Sequence, residues 1–297
     1  MVCDNIRGMG IKKYLKKLED LSGKKVIITG GTSGIGLAIV KQLLSKNATV
    51  VVLARSPQKM DDLKRYADEH FDDPQLEFIK YDQSIDESVR EAAKEVAAKH
   101  GDFYAFILNA GITQRKKPTK YVDGYPLTIK TNLVGASILL ETLLPLIKGN
   151  HRFIFQGSLV ASWRLKKIQS FKQTNISFWQ QYIISKAGVE ALFYHYSKSD
   201  YPFEFLLVEP GISITDIIRE FPSVIRFLAK LFSKLVSHSP EKAALAAMLA
   251  LQSTTKKDSF ITPRGPFSWR GYPKIKKFPK KREKQYLIEM LEKDKNS

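Results

Sequence analysis

A tyrosine and a lysine stand one helical turn apart in the second half of the chain, as Tyr182 and Lys186. A phenol ionises near pH ~10, so tyrosine is a poor acid or base at neutral pH unless a nearby cation stabilises the phenolate. A lysine four positions further along a helix lies on the same face and supplies that cation. The pair is typical of a redox enzyme in which the tyrosine transfers a proton.

A glycine-rich turn lies in the first half of the chain, between a predicted strand ending at Thr29 and a helix beginning near Gly34. Glycines let the backbone turn sharply and approach a pyrophosphate, which then meets the positive end of the helix. The alternative is a turn that merely joins strand to helix, but this context favours dinucleotide binding. The residues predicted to contact the cofactor here are Gly30, Thr32, Ser33, Gly34, Ile35 and Gly36.

The end of the second predicted strand indicates which dinucleotide binds. An acidic residue there would hydrogen-bond the ribose 2′-hydroxyl of NAD. This chain has Ala54, Arg55 and Ser56 instead, with Lys59 nearby. The guanidinium of Arg55 offers a bidentate partner to a 2′-phosphate, with no carboxylate to repel it. NADP(H) is therefore favoured over NAD(H); the alternative is that Arg55 is a solvated surface charge.

Asp82 follows the third predicted strand, and two roles for it remain open. It is placed to bond the adenine amino group of the cofactor. It is equally placed to cap the helix predicted to start near Ile85.

Apolar strands and helices alternate along the chain, which indicates a parallel sheet covered on both faces. We predict an α/β protein with a Rossmann-type doubly wound parallel sheet of about seven strands, in a single domain. The predicted strands are residues 25–29, 48–54, 76–81, 103–108, 152–156 and 203–208. Residues 1–21 are predicted to form an amphipathic basic extension, 22–273 the dinucleotide-binding domain, and 274–297 a basic tail.

The formal net charge of +18 on 297 residues is high, but much of it lies near the two ends. Charge at the ends of a domain is more often a solvated face or tail than a binding groove, so we do not expect nucleic-acid binding. One cysteine, Cys3, excludes an intrachain disulfide, and the histidines lack metal-ligand spacing. With no visible secretory signal and no apolar run approaching ~20 residues, we expect a cytoplasmic protein, with peripheral membrane contact left open.

Taken in order, these motifs resemble those of the short-chain dehydrogenase/reductase superfamily, over about residues 22–272. Besides the glycine turn and the tyrosine–lysine pair, that family has an N-A-G turn, an asparagine in an N-x-x-G context, a serine closing the fifth strand, and a P-G turn with a nearby threonine. The matching residues are Asn109, Ala110 and Gly111, then Asn132, then Ser158, and finally Pro210, Gly211, Ile212 and Thr215.

The resemblance implies an NADP(H)-dependent oxidoreductase that interconverts a carbonyl and an alcohol. It implies that Tyr182 is the acid or base, and that Lys186 lowers the pKa of the tyrosine and holds the nicotinamide ribose. Ser158 would orient the substrate oxygen and Asn132 would place a water in a proton relay. The resemblance also assigns Asn109, Ala110, Gly111, Pro210, Gly211, Ile212 and Thr215 to the cofactor, the last two at its carboxamide end.

Two departures from the usual superfamily pattern resemble features of its retinol dehydrogenase and protochlorophyllide reductase-like branch. The stretch between Ser158 and Tyr182 is longer than usual, and Ser239-Pro240-Glu241 resembles the start of a late helix in that branch. The resemblance also implies a substrate lid at about residues 215–240, within the 22–273 domain. Its apolar side chains suggest a small hydrophobic carbonyl or alcohol substrate, although the same side chains could be ordinary helix packing. A catalytically silent NADP(H)-binding sensor of the same fold is the alternative function. Homo-oligomers are common in the family.

Overall fold

The computed structural model describes residues 10–114, 118–163, 165, 167–211, 239–265, 268, 271–279 and 284–297. These residues contain an eight-stranded sheet and a separate two-stranded hairpin. The strands are β1 (Lys25–Thr29), β2 (Thr49–Ala54), β3 (Leu76–Lys80), β4 (Ala105–Leu108), β5 (Tyr121–Val122), β6 (Tyr125–Pro126), β7 (Arg152–Gln156), β8 (Glu204–Val208), β9 (Phe260–Pro263) and β10 (Pro273–Lys276).

The large sheet has the order β3-β2-β1-β4-β7-β8-β9-β10, and the hairpin pairs β5 with β6. Strands β1 to β9 of the large sheet pair in parallel, and β10 is antiparallel to β9. Strands β1, β4 and β7 are almost wholly buried, as expected when helices cover both faces. The predicted doubly wound α/β fold is thus confirmed.

Helices cover both faces of the sheet. One face carries α2 and α8, which pack against each other; the other carries α4, α6 and α7. The helices are α1 (Ile11–Lys16), α2 (Gly34–Leu44), α3 (Pro57–His70), α4 (Asp86–His100), α5 (Leu127–Ile129), α6 (Gly135–Leu143), α7 (Phe178–Ser197), α8 (Pro240–Ala250) and α9 (Tyr286–Lys295). A π-helical turn, Lys130–Val134, joins α5 to α6, and a 3₁₀ turn, Leu159–Ser162, follows β7.

Both ends of the described chain pack on this framework. Within the extension predicted over residues 1–21, α1 ends at Lys16, and the chain then turns to bury Leu18 and Leu21. Tyr14, buried beside them, stacks on Tyr272 at 5.0 Å between ring centroids. The apolar face of the N-terminal extension therefore packs against the fold.

The C-terminal segment, which the sequence predicts to be a tail from residue 274, also contributes to the fold. Residues 274–276 belong to β10, the edge strand beyond the seven predicted, and α9 packs against α7 through buried Leu287 and Leu291. Pro273 pairs with Pro263 in β9, and prolines are confined to such edges because they lack a ladder donor.

One helical stretch in the described residues, Leu127–Leu146, is long and apolar enough to cross a membrane, with a mean hydropathy of 1.3. Within the fold, 83% of its most apolar window is buried. That burial is typical of a core helix, and the stretch contains the π-helical turn described above.

Candidate active site

The glycine turn between β1 and α2 is tightly packed. A Cβ added at Gly36 would lie 2.2 Å from the carbonyl oxygen of Gly30, so only glycine fits there. The Asn109 side chain braces the turn, since its Nδ2 donates to the carbonyl oxygens of Thr29 (3.0 Å) and Gly30 (3.3 Å). Asn109 thus stabilises the conformation of this turn, called the glycine cradle below, and it also lines the cleft.

The first turn of α2 faces the same cleft. Ser33 precedes the helix, and its side chain makes no capping hydrogen bond, so it does not satisfy the amide groups at this helix end. Free amide groups and the positive end of a helix dipole attract an anion. With the tight glycine cradle beside it, this helix end fits the pyrophosphate of a dinucleotide.

Arg55 lies at the end of β2 with its side chain exposed at the edge of the cleft. Ser56 and Lys59 line the cleft beside it, and the Ser56 side chain does not cap α3. Two cationic side chains and a hydroxyl therefore lie together at this edge of the cleft.

Asp82 lines the cleft as well. Its Oδ1 accepts hydrogen bonds from the backbone amide (2.9 Å) and hydroxyl (2.7 Å) of Ser84. Helix α4 begins four residues later, at Asp86, with no side-chain cap. Of the two roles left open for Asp82, the structure does not show the helix cap; a contact with adenine stays a prediction.

Ser158 and Tyr182 meet at the other end of the cleft. Ser158 follows β7, and Tyr182 lies in the second turn of α7. Burial raises the pKa of Tyr182, and a hydrogen bond with the Ser158 side chain opposes that increase. The phenol is therefore held in its protonated form, next to a hydroxyl that can share the same substrate oxygen. The lowering of its pKa by Lys186 stays a prediction.

Lys186 lies one turn further along α7 and is buried. Its Nζ donates to the carbonyl oxygen of Gln156, at 3.0 Å. Burial lowers the pKa of Lys186 to about 8, and the carboxylate of Glu190 acts in the opposite direction. The lysine thus carries a positive charge at neutral pH, and the protein fixes its position from the end of β7.

Asn132 is buried in the π-helical turn, a feature that often marks functional sites. Its Oδ1 accepts from the Ile112 amide at 2.7 Å, and its Nδ2 donates to the Ile112 carbonyl (2.9 Å) and to Ser185 Oγ (3.0 Å). A Cβ added at Gly111 would lie 3.3 Å from Asn132 Oδ1 and 3.4 Å from Lys186 Nζ. Asn132 therefore lies just behind the cleft, close to Lys186, and ties α7 to the N-A-G turn.

The cleft that joins these parts has a volume of about 660 Å³. Of the residues predicted from the sequence, it is lined by Gly30, Thr32, Ser33, Gly34, Ile35, Gly36, Arg55, Asp82, Asn109, Ala110, Gly111, Ser158, Tyr182, Lys186, Pro210 and Gly211. The structure therefore brings nearly all of them to the carboxyl ends of the central strands. Ile212, Thr215 and almost all of the predicted lid lie outside the described residues.

Two groups of residues were missed by the sequence analysis. Trp163 and Trp179 line the cleft beside Tyr182. Trp179 could have been found, since a residue three positions before the tyrosine lies on the same face of the helix. Trp163 lies in an irregular segment, where spacing gives no such signal.

The second missed group is the C-terminal segment, which braces the loop between Ser158 and α7. Asp294 Oδ2 accepts from the buried amide of Phe171 at 2.5 Å, and Lys284 Nζ donates to the carbonyl oxygen of Ala161. These contacts join residues more than a hundred positions apart, which local sequence patterns cannot reveal.

Comparison with known proteins agrees with this geometry. The family model for short chain dehydrogenase matches residues 24–223, and the chain belongs to that family. It is 36% identical to a short chain dehydrogenase/reductase of Colletotrichum higginsianum, dpchH, over 44% of this chain and 33% of that protein. It is 27% identical to the short-chain dehydrogenase/reductase pkfC of Emericella nidulans, over 78% of each chain.

Solved structures share the fold. An uncharacterized protein from Mycobacterium paratuberculosis superposes with a TM-score of 0.71 at 22% identity, covering 94% of this chain and 97% of the other. The NADP active-site complex of RhlG from Pseudomonas aeruginosa gives 0.62 at 21% identity, covering 79% and 91%. The protein is therefore an oxidoreductase of the short-chain dehydrogenase family. Its place in the retinol dehydrogenase-like branch stays a prediction.

Proposed function

We propose that the protein is an NADP(H)-dependent oxidoreductase that interconverts a carbonyl and an alcohol on a hydrophobic substrate. The observation that carries the proposal is the meeting of Ser158, Tyr182 and Lys186 at one end of a cleft whose other end is a glycine cradle. Bound NADPH would supply the hydride.

The cradle, the amino end of α2 and Arg55 would hold the cofactor. The pyrophosphate would lie against the backbone at Gly34 and Ile35, where a side chain at Gly36 would not fit. Arg55, Lys59 and Ser56 would bind the 2′-phosphate. RhlG, whose NADP complex has the same fold, supports this choice of cofactor.

Tyr182 would donate a proton to the carbonyl oxygen during reduction. A phenol ionises near pH ~10 and burial raises the pKa of Tyr182 further, so the proton is present at neutral pH and its transfer depends on stabilisation of the phenolate. Ser158 would hydrogen-bond the same oxygen and hold it in line. Lys186, fixed by the Gln156 carbonyl, would bind the ribose hydroxyls with its remaining donors and stabilise the phenolate that forms.

The substrate would lie beside Leu159, Val160 and Ile112, three apolar residues that line the cleft. These side chains offer no hydrogen bonds, so binding there would come from the burial of apolar surface. A small hydrophobic aldehyde or ketone matches this lining.

The experiment is to measure NADPH oxidation by the purified protein with a panel of hydrophobic aldehydes and ketones, using the Tyr182→Phe variant as background. We expect turnover in the wild type, and at least a hundredfold less in the variant, since general acid catalysis contributes about 10²–10⁴-fold. Calorimetry should show the same NADPH affinity for both proteins. A variant as active as the wild type would refute the mechanism; bound NADPH with no turnover would favour a sensor.

A further inference from the structure

Two tryptophans line the substrate end of the cleft. Trp163 follows the 3₁₀ turn after Ser158, and Trp179 lies in the first turn of α7, three residues before Tyr182. Trp179 therefore lies beside Tyr182, which is assigned to the reacting carbonyl, and Trp163 contacts Trp179. Neither belongs to the cofactor cradle.

The three rings form a continuous aromatic row. The Trp179 ring is nearly parallel to the Tyr182 ring, with centroids 6.0 Å apart and an interplanar angle of 26°. Trp163 meets Trp179 edge to face, at 5.9 Å and 62°. All three side chains line the same cleft, so a substrate bound at Tyr182 would lie near the two indoles.

Trp163 lines the cleft, and 51% of its surface is nevertheless exposed to solvent. Exposing half of an indole is costly, and large exposed apolar side chains in a cleft often mark a ligand site. A flat ligand lying on the exposed part of the Trp163 ring would cover this surface.

Most charges of the cleft lie elsewhere. Among the described lining residues, the ionisable side chains are Arg55, Lys59, Asp82, Lys186 and the two tyrosines Tyr81 and Tyr182. Arg55, Lys59 and Asp82 follow β2 and β3, at the cofactor end. Among the described residues, Lys186 is therefore the one cation at the end of the cleft where the tryptophans lie, and it is assigned to the ribose of the cofactor.

We propose that Trp163 and Trp179 form a stacking platform that selects substrates whose carbonyl is attached to a flat aromatic or conjugated group. This inference rests on the proposed function for the reacting carbonyl, but the platform binds through ring faces alone. Aromatic pairs contribute about 0.5–1.5 kcal/mol beyond the area they bury, which corresponds to a preference of about two- to tenfold.

The test compares two aldehydes that share a carbon skeleton, 2-naphthaldehyde and the saturated, non-planar decahydronaphthalene-2-carbaldehyde. The full chain is assayed with NADPH, and kcat/KM is determined for both. The ratio of the two values should fall about two- to tenfold in Trp179→Leu and in Trp163→Leu, mainly through KM for the naphthaldehyde. The intrinsic reactivities of the two aldehydes cancel when variant and wild-type ratios are compared.

Controls separate recognition from folding. Trp179→Phe keeps a ring and should restore most of the ratio, and NADPH affinity should be the same in all variants. Tyr286→Leu removes an aromatic ring, 51% exposed, from a position that does not line the cleft, and it should leave the ratio unchanged. If both aldehydes lose activity equally in the tryptophan variants, the rings only support the fold and the inference is wrong.

A binding measurement keeps this test apart from the test of activity. 2-Naphthaldehyde is titrated calorimetrically into NADPH-loaded Tyr182→Phe protein, with and without Trp179→Leu. Binding that weakens with loss of the indole supports the platform, even if no protein turns over substrate. Equal binding, or none in either protein, overturns it.

Discussion

Replacing Arg55 by alanine removes a guanidinium from the end of β2 and leaves the cradle intact. Arg55 is exposed and lies at the edge of the cleft, with Ser56 and Lys59 beside it. In the proposed complex, its partner is the 2′-phosphate that distinguishes NADPH from NADH. The substitution should therefore weaken the binding of NADPH and have little effect on the binding of NADH.

The size of the effect follows from the exposure of the side chain. A hydrogen bond to a charged group contributes about 1.5–3 kcal/mol, and solvent screening places Arg55 in the lower part of that range. Taking about 2 kcal/mol, the Kd for NADPH should rise about 30-fold. Lys59 and Ser56 would remain, so binding should not be lost entirely.

Calorimetric titration of the wild type and the variant with each cofactor gives all four constants. The Kd of Arg55→Lys for NADPH should lie between those of the wild type and Arg55→Ala, because lysine keeps the positive charge but cannot make the two parallel hydrogen bonds of a guanidinium. Lys80→Ala removes an exposed cation that does not line the cleft, and it should change neither constant. Equal losses for NADPH and NADH in Arg55→Ala would refute the assignment of Arg55 to the 2′-phosphate.

Two further predictions concern stability. In urea unfolding, Asp294→Ala should lower the free energy of unfolding by about 1–3 kcal/mol, because the buried amide of Phe171 loses its acceptor. Asp294→Asn keeps an acceptor oxygen and should recover most of this free energy. An Asp294→Ala protein as stable as the wild type would show that the Asp294–Phe171 hydrogen bond does not stabilise the fold. Burial lowers the pKa of Lys186 from 10.5 to about 8, so between these values the unfolded chain binds more protons and stability rises with pH. Between pH 7 and 9.5, the free energy of unfolding should increase by about 2 kcal/mol more in the wild type than in Lys186→Met. The same pH dependence of stability in both proteins would exclude this lowering of the Lys186 pKa.

The parts of the site that sequence predicts well are local. Tyr182 and Lys186 share one helix, so their spacing alone sets them on one face. The glycine turn is also local, since Gly36 must approach Gly30 whatever surrounds them. The order of strands and helices then fixes the edge of the sheet at which both must lie.

The parts that sequence did not predict depend on distant contacts. The π-helical turn that carries Asn132 is held by Lys130, whose Nζ is ion-paired with Asp86 at 2.7 Å and Asp123 at 2.6 Å. Such a turn has no signature in the order of residues, since its partners come from another helix and from the β5–β6 hairpin.

The terminal segments show the same limitation. Clusters of lysine suggested a solvated C-terminal tail, but α9 buries Leu287, Ile288 and Leu291, which lie on its face toward α7. Charge dominates the composition of this segment, while its few apolar residues decide where it packs.

The most direct measurement of the central claim is the fate of the transferred hydrogen. NADPH deuterated at C4 of the nicotinamide is incubated with the protein and an aldehyde that it turns over, and the alcohol is analysed by mass spectrometry. We predict one deuterium on the carbinol carbon of the wild-type product, and no labelled alcohol above background with Tyr182→Phe. Unlabelled alcohol from both stereospecifically deuterated forms of the cofactor, or equal labelled product from the variant, would contradict hydride transfer assisted by Tyr182.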